Sequence, residues 1–217
     1  SPQTIRLKSA TSNIFLENIL FGEVWLCSGQ SNMTIPVKGN FGQPVFGAQQ
    51  TILTAGNTNL RLFTVERKAS LVPEKDLGKS IGWQSATVEN VKDFSAVAYY
   101  YGQQLQKILE VPVGMIHTSW GGSLIEAWMS NETLSTIKTI DLSNVDLNRG
   151  NRFPTVVFNA MINPLIPFTI KGILWYQGEG NASRPQQYKL LFPAMVKDWR
   201  ARWGIGNFPF YYVQIAP

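Results

Sequence analysis

Residues 23–33 read EVWLCSGQSNM: a short apolar run leads straight into a small, glycine-flanked polar turn. Five residues rich in β-branched and aromatic side chains, Glu23 to Cys27, fit a strand buried on both faces, and the Ser28-Gly29-Gln30-Ser31-Asn32 turn marks where it leaves the sheet. Four more runs of this kind follow, at 60–65 (LRLFTV), 112–117 (PVGMIH), 170–177 (IKGILWYQ) and 209–215 (PFYYVQI). Helical periodicity lies between them. Phe94, Val97, Ala98, Tyr101, Leu105, Ile108 and Leu109 share one stripe, and Tyr188, Leu191, Phe192, Met195, Trp199 and Trp203 share another that stops at Gly204. A shorter helix follows Pro154 and closes at Pro164, and a weaker one covers 43–54. Strands alternating with helices of this length predict an α/β fold, a three-layer α/β/α sandwich on a five-stranded parallel sheet. Residues 1–20 stand outside this unit. Ile5 and Leu7, then Ile14 and Leu16, alternate around a turn at 9–12, which predicts an edge hairpin or the remnant of an upstream β domain.

In open sheets of this kind ligands bind at the carboxyl ends of the strands, so chemistry is sought just after each run. After the first, a Ser in a sharp turn has the exposed hydroxyl and nearby backbone N–H of an activated nucleophile, although Gly29, Ser31 and Asn32 are also ordinary turn formers. The G-x-S-x-G elbow is incomplete because position 33 is Met, which disfavours an α/β-hydrolase. After the third run, Trp120-Gly121-Gly122-Ser123 offers backbone amides with no Cβ in the way, the requirement for an oxyanion donor; the competing reading is a tight turn among packed tryptophans. After the fourth, Gln177 or Asn181 in Gln177-Gly178-Glu179-Gly180-Asn181 offers a carboxamide to the same place. Gly178-x-Gly180 lacks the third glycine of a dinucleotide loop, which is Ser183 here.

Composition narrows the classes. The 217 residues are 44% apolar and 15% charged, a folded chain with a sizeable core. One Cys, Cys27, excludes an internal disulfide framework and a multi-thiolate metal site; one His, His117, excludes every multi-His metal site. No metal or cofactor is expected. The +5 charge is scattered, its tightest group being Lys197, Arg200 and Arg202 around Asp198, so no nucleic-acid stripe is expected. The uncharged stretch between Arg152 and Lys171 is broken by Pro154, Asn159, Asn163, Pro164 and Pro167 and reads as a helix and turn, so no membrane insertion is expected. The chain opens on Ser1-Pro2 with no initiator Met and no basic or apolar leader, so no targeting segment is expected in it; the expectation is that one was removed or that the chain is cut from something longer.

Taken together, FGEVWLCSGQSNM at 21–33, WGGSLIEAW at 120–128, FNAMINPLI at 158–166, ILWYQGEGNA at 173–182 and PFYYVQIAP at 209–217 resemble the SGNH hydrolase superfamily, and within it the sialate O-acetylesterase type of carbohydrate esterase. The resemblance runs from about residue 20 to the end and makes 21–217 the hydrolase domain. It implies a flavodoxin-like sandwich with strand order 2-1-3-4-5, and hydrolysis of sugar acetyl esters, most of all on sialic acid, through an acyl-enzyme on Ser31. It implies an oxyanion hole from the amides of Ser31 and of Gly121 or Gly122 and a carboxamide, with Gln177 favoured over Asn181. Gln30, Trp120, Glu126, Glu179 and Arg152 are the expected substrate contacts, with Arg184 a second guanidinium for a sialate carboxylate; Trp128, Trp175 and Tyr176 flank the same place, with core packing as their other reading. An acetyl xylan esterase of the same fold and a non-catalytic sugar-binding module are the alternatives. A secreted or periplasmic home follows from the resemblance alone.

The family's base and its orienting carboxylate come from an Asp-x-x-His block, and none is present. The residues three after Asp76, Asp93, Asp141, Asp146 and Asp198 are Lys79, Ala96, Asn144, Arg149 and Ala201. The expectation is a C-terminally incomplete domain that alone hydrolyses esters slowly or not at all, since a Ser hydroxyl without a base is a weak nucleophile. His117, leaving the sheet beside Ser31, is the only substitute base in the chain, and a core imidazole is its other reading.

Overall fold

The computed structural model describes residues 1–143 and 147–216, apart from the side chains of residues 148 and 149; part of the polar 143–153 loop thus lies outside the described residues. The strands are β1 (Gln3–Lys8), β2 (Asn13–Ile19), β3 (Glu23–Gly29), β4 (Gly56–Thr64), β5 (Gln84–Thr87), β6 (Val113–Ser119), β7 (Gly172–Tyr176) and β8 (Phe210–Tyr212). The helices are α1 (Ser31–Thr34), α2 (Ala48–Leu53), α3 (Val88–Val91), α4 (Ala96–Leu109), α5 (Asn131–Leu134) and α6 (Pro185–Trp203). All five predicted strands and both long helices form. β1 and β2 pair with each other, with Ser9 N donating to Ser12 O at the turn, and with no strand of the main sheet.

Two features of the predicted sheet are corrected. It has six strands, not five, and is mixed, because β5 joins the edge antiparallel to β4. Gln84-Ser85-Ala86-Thr87 buries Ala86 alone, so this strand carries no apolar run to betray it. The order is β5-β4-β6-β3-β7-β8, which in the five predicted strands reads 2-3-1-4-5 rather than 2-1-3-4-5. The chemistry depends on this difference. β3 sits between β6 and β7, so the turns after all three are neighbours, with Gly29 level with both Ser119 and Tyr176. The expected order would have set β6 between β3 and β7.

Alternation along the strands sorts the core into two layers. Leu26, Ile116, Ile173 and Trp175 face α6 through Leu191, Met195, Trp199 and Trp203. Trp25, Cys27, Val113, Met115 and Leu174 face α4 through Ala98 and Tyr99. The buried face of α4 is rotated from the predicted stripe: Ala98, Tyr99 and Gly102 lie inside, while Ile108 is exposed. The reason is Gly102, whose missing side chain leaves room for Met115 and Leu60; a Cβ there would lie 2.7 Å from the Met115 side chain. α6 ends at Gly204 in the left-handed conformation, the stop read from the sequence. The stretch after Pro154 is helical, a π-helical turn over Phe158–Ile162. No helix among the described residues is long and apolar enough to cross a membrane.

Candidate active site

At the carboxyl ends of β3, β6 and β7 the backbones close to within contact. Gly29 has φ of 142°, and a Cβ on it would lie 2.1 Å from Tyr176 O, so only glycine lets β3 turn away beside β7. The turn is pinned on both sides: Gln30 N donates to Tyr176 O (2.9 Å) and Trp120 N donates to Gly29 O (3.1 Å). Ser31 opens α1, exposed, and a Cβ on Gly121 would lie 3.7 Å from Ser31 Cβ. The two predicted elements, nucleophile turn and Gly-Gly turn, therefore meet. Among the described residues the Ser31 hydroxyl and the amides of Ser31, Gly121 and Gly122 have no hydrogen-bond partner, and Ser31 and Gly122 are exposed, with Gly121 half-buried.

The third expected contributor is elsewhere. Gln177 and Asn181 are 3% and 1% exposed, and the Gln177 amide nitrogen and both polar atoms of the Asn181 carboxamide bond protein groups. Gln177 Nε2 donates to Ser123 O (3.2 Å) and to Asn181 Oδ1 (2.8 Å). Asn181 Oδ1 also accepts from Ile125 N (2.9 Å), and its Nδ2 donates to Glu126 Oε2 (2.8 Å). Glu126, 2% exposed, completes the row with an Arg184 ion pair of 2.6 Å, and Arg184 also bonds Gln187. This row underlies the Ser123–Glu126 backbone and holds it to the loop after β7. Ser28 Oγ, Thr118 Oγ1 and Gln177 Oε1 lie buried with no partner among the described residues.

The expected sugar contacts divide in the same way. Gln30 is buried, and its Oε1 accepts from Gly178 N (3.2 Å) and Gly180 N (3.1 Å), tying the nucleophile turn to the loop after β7. Glu126 and Arg184 are committed to each other, and Trp128 and Trp175 are core residues that meet edge to face. Trp120, Tyr176 and Glu179 are exposed or half-exposed at the strand ends, and Arg152 is exposed; Glu179 accepts from Asn32 Nδ2 (2.6 Å). Two rim residues escaped the sequence reading. Asn151 Nδ2 donates to Gly121 O (2.6 Å), and Arg67 Nε donates to Ser119 O (3.2 Å), filling in where β4 has left the ladder. A carboxamide inside the polar 143–153 loop was the only signal for the first; nothing in the sequence marked the second.

His117 is placed too deep to serve Ser31. It is 7% exposed, and its Nε2 is 2.6 Å from Ser119 Oγ, which is 3.0 Å from Thr34 Oγ1, which in turn donates to Gln30 O (3.1 Å). Burial first, and the Arg67 guanidinium second, push its imidazole down to about 4. It is a neutral ring bracing the turn that carries Ser31. Among the described residues no cluster of His, Cys, Asp and Glu has the makings of a metal site.

Residues 21–217 match the family described as carbohydrate esterase, sialic acid-specific acetylesterase. The chain is 35% identical over 97% of its length to the sialate O-acetylesterase of Pongo abelii, and 34% identical over 97% to that of Homo sapiens, of each of which it covers 42%. Among solved structures it is similar to a carbohydrate acetylesterase from Xanthomonas citri, with a TM-score of 0.87 and 34% identity over 99% of this chain and 46% of that one. The chain thus spans less than half the length of each of these relatives. The family match spans residues 21–217, nearly the whole chain, and the chain belongs to the carbohydrate esterase family of sialic acid-specific acetylesterases.

Proposed function

We propose that these residues carry the nucleophile and oxyanion cradle of a serine esterase that removes O-acetyl groups from sugars, sialic acids foremost. The observation that supports this most is the junction of Ser31 with Gly121: an exposed serine whose hydroxyl has no partner among the described residues and whose Cβ lies 3.7 Å from the glycine's vacant Cβ position, with unpaired amides on both sides. In this reading Ser31 Oγ attacks the acetyl carbonyl carbon and passes its proton to a base. The carbonyl oxygen becomes an oxyanion held by the amides of Ser31 and of Gly121 or Gly122. The carbon–oxygen bond to the sugar then breaks, the base returns the proton to the sugar oxygen, and water releases acetate from the acetyl-serine by the reverse sequence. Backbone amides suit this work because they are already oriented when charge develops.

The base is not His117, whose ring nitrogen is engaged with Ser119 and whose proton affinity is too low. As it is the single histidine here, an imidazole base has to come from outside these 217 residues. Arg67, whose Nε donates to Ser119 O beside the nucleophile turn, and the exposed Arg152, next in sequence to Asn151, favour a sugar bearing a carboxylate over a neutral one such as xylan. Acetate release by the full-length protein from O-acetylated sialic acid tests the reading. Ser31→Ala is expected to abolish it with the fold intact, and equal rates on acetylated xylan would remove the preference for sialate.

A further inference from the structure

Gly121 and Gly122 are joined by one trans peptide, whose carbonyl oxygen and N–H point in opposite directions. The carbonyl belongs to Gly121 and accepts the 2.6 Å hydrogen bond from Asn151 Nδ2. The N–H belongs to Gly122, is turned to the side away from Asn151, and has no acceptor among the described residues. Two glycines in a row, the second at φ of 73°, have little torsional preference of their own, so this peptide could flip at small cost unless held. A flip would exchange its N–H for a carbonyl oxygen, replacing attraction for an oxyanion by repulsion.

Asn151 holds it at two points. Its side chain fixes the Gly121 carbonyl, and its own carbonyl accepts from Leu124 N (3.2 Å). Nearby, Thr155 N donates to Glu126 O (3.0 Å), so the 151–155 segment runs along the Gly-Gly turn as a strap. The two sides of the dipeptide are set accordingly: the vacant Cβ position of Gly121 is 3.7 Å from Ser31 Cβ, and that of Gly122 is 3.7 Å from Asn151 Nδ2. We infer that Asn151 is a positioning residue that orients the Gly121–Gly122 peptide so that the Gly122 N–H serves as oxyanion donor to chemistry at Ser31. This rests on the acyl-transfer reading above. Asn151 touches no reacting atom in this account; it acts through the peptide.

The test uses the full-length protein with Asn151→Asp, which keeps the shape but sets a carboxylate oxygen against the Gly121 carbonyl, and Asn151→Ala, which removes the donor. Both are expected to lower kcat on the order of 10- to 100-fold, as expected for a displaced transition-state donor, with KM unchanged. Affinity for methylboronic acid, whose tetrahedral adduct on Ser31 places an oxygen in the oxyanion position, is expected to fall by the same factor, while product inhibition by the deacetylated sugar stays as in the wild type. Unchanged kcat in both variants overturns the inference. So does a loss in which KM rises with falling thermal stability and boronate affinity is retained, since that marks a loop brace only. A Ser31→Ala control separates the two levels: if it is inactive while Asn151→Ala turns over normally, only the inference fails, and if it retains turnover, the acyl-enzyme reading fails with it.

Discussion

Two sets of polar residues occupy the same strand ends and have opposite fates. Among the described residues, Ser31, Gly121 and Gly122 on the rim leave a hydroxyl and amides without protein partners; one layer below, Gln177, Asn181, Glu126 and Arg184 satisfy one another almost completely. The lower set is composed of the residue types usually offered as ligands to a sugar. Its carboxylate and carboxamides are bonded to protein groups instead, because a buried carboxylate or carboxamide has to be paired. The lesson is a division of labour, in which the paired layer fixes the loops and the unpaired layer is left to react.

The seam shared by both layers is where the contrast breaks most completely. Gly29→Ala puts a Cβ 2.1 Å from Tyr176 O in a backbone conformation that L residues rarely adopt. A loss of roughly 4 kcal/mol or more, read as failure to give a cooperative unfolding transition, is expected; a stable Ala variant would mean that the β3–β7 contact is not what fixes the turn.

Arg184→Ala tests the lower layer. It strands the buried Glu126 carboxylate and is expected to cost about 3 kcal/mol in denaturant unfolding. KM for an acetylated sialic acid should stay as in the wild type. A variant of normal stability with a raised KM would move Arg184, whose side chain is 39% exposed, from the Glu126 ion pair to the substrate.

His117 sharpens the comparison through pH. The folded ring titrates at about 4 against an ordinary 6.5, so between those values the unfolded chain binds a proton that the folded one refuses. Its contribution is therefore complete above pH 6.5 and is lost as the pH falls toward 4, by at most on the order of 3 kcal/mol. In His117→Gln that part of the pH–stability curve is expected to flatten. An unchanged slope would show that the loss on acidification comes from other groups.

How far the sequence could be read follows from the range of the forces involved. β3, β6 and β7 were legible because each is an apolar run ended by a Gly or polar turn, and α4 and α6 because their stripes repeat at helical spacing. The order of the strands was not, since the pairing of β6 with both β3 and β4 joins segments some fifty or more residues apart and leaves no local mark. The glycines beside Ser31 could be found because a missing side chain at a strand exit has few other uses. Gln30, Gln177, Asn181 and Glu126 were found but pointed outward, because sequence shows which donors and acceptors are present and not which of them meet. Asn151 shows the converse: its target, the Gly121 carbonyl, lies thirty residues upstream, and a bond from a carboxamide to backbone has no periodicity.

The central claim is that chemistry takes place on the unpaired rim at Ser31, and covalent trapping tests it most directly. The full-length protein, mixed with an acetylated sialic acid and quenched during turnover, is digested and the peptide spanning Ser31 is weighed by mass spectrometry. The account predicts one acetyl group on Ser31, absent from Ser31→Ala together with the turnover. Acetyl carried on another residue, or turnover undiminished in Ser31→Ala, would contradict it.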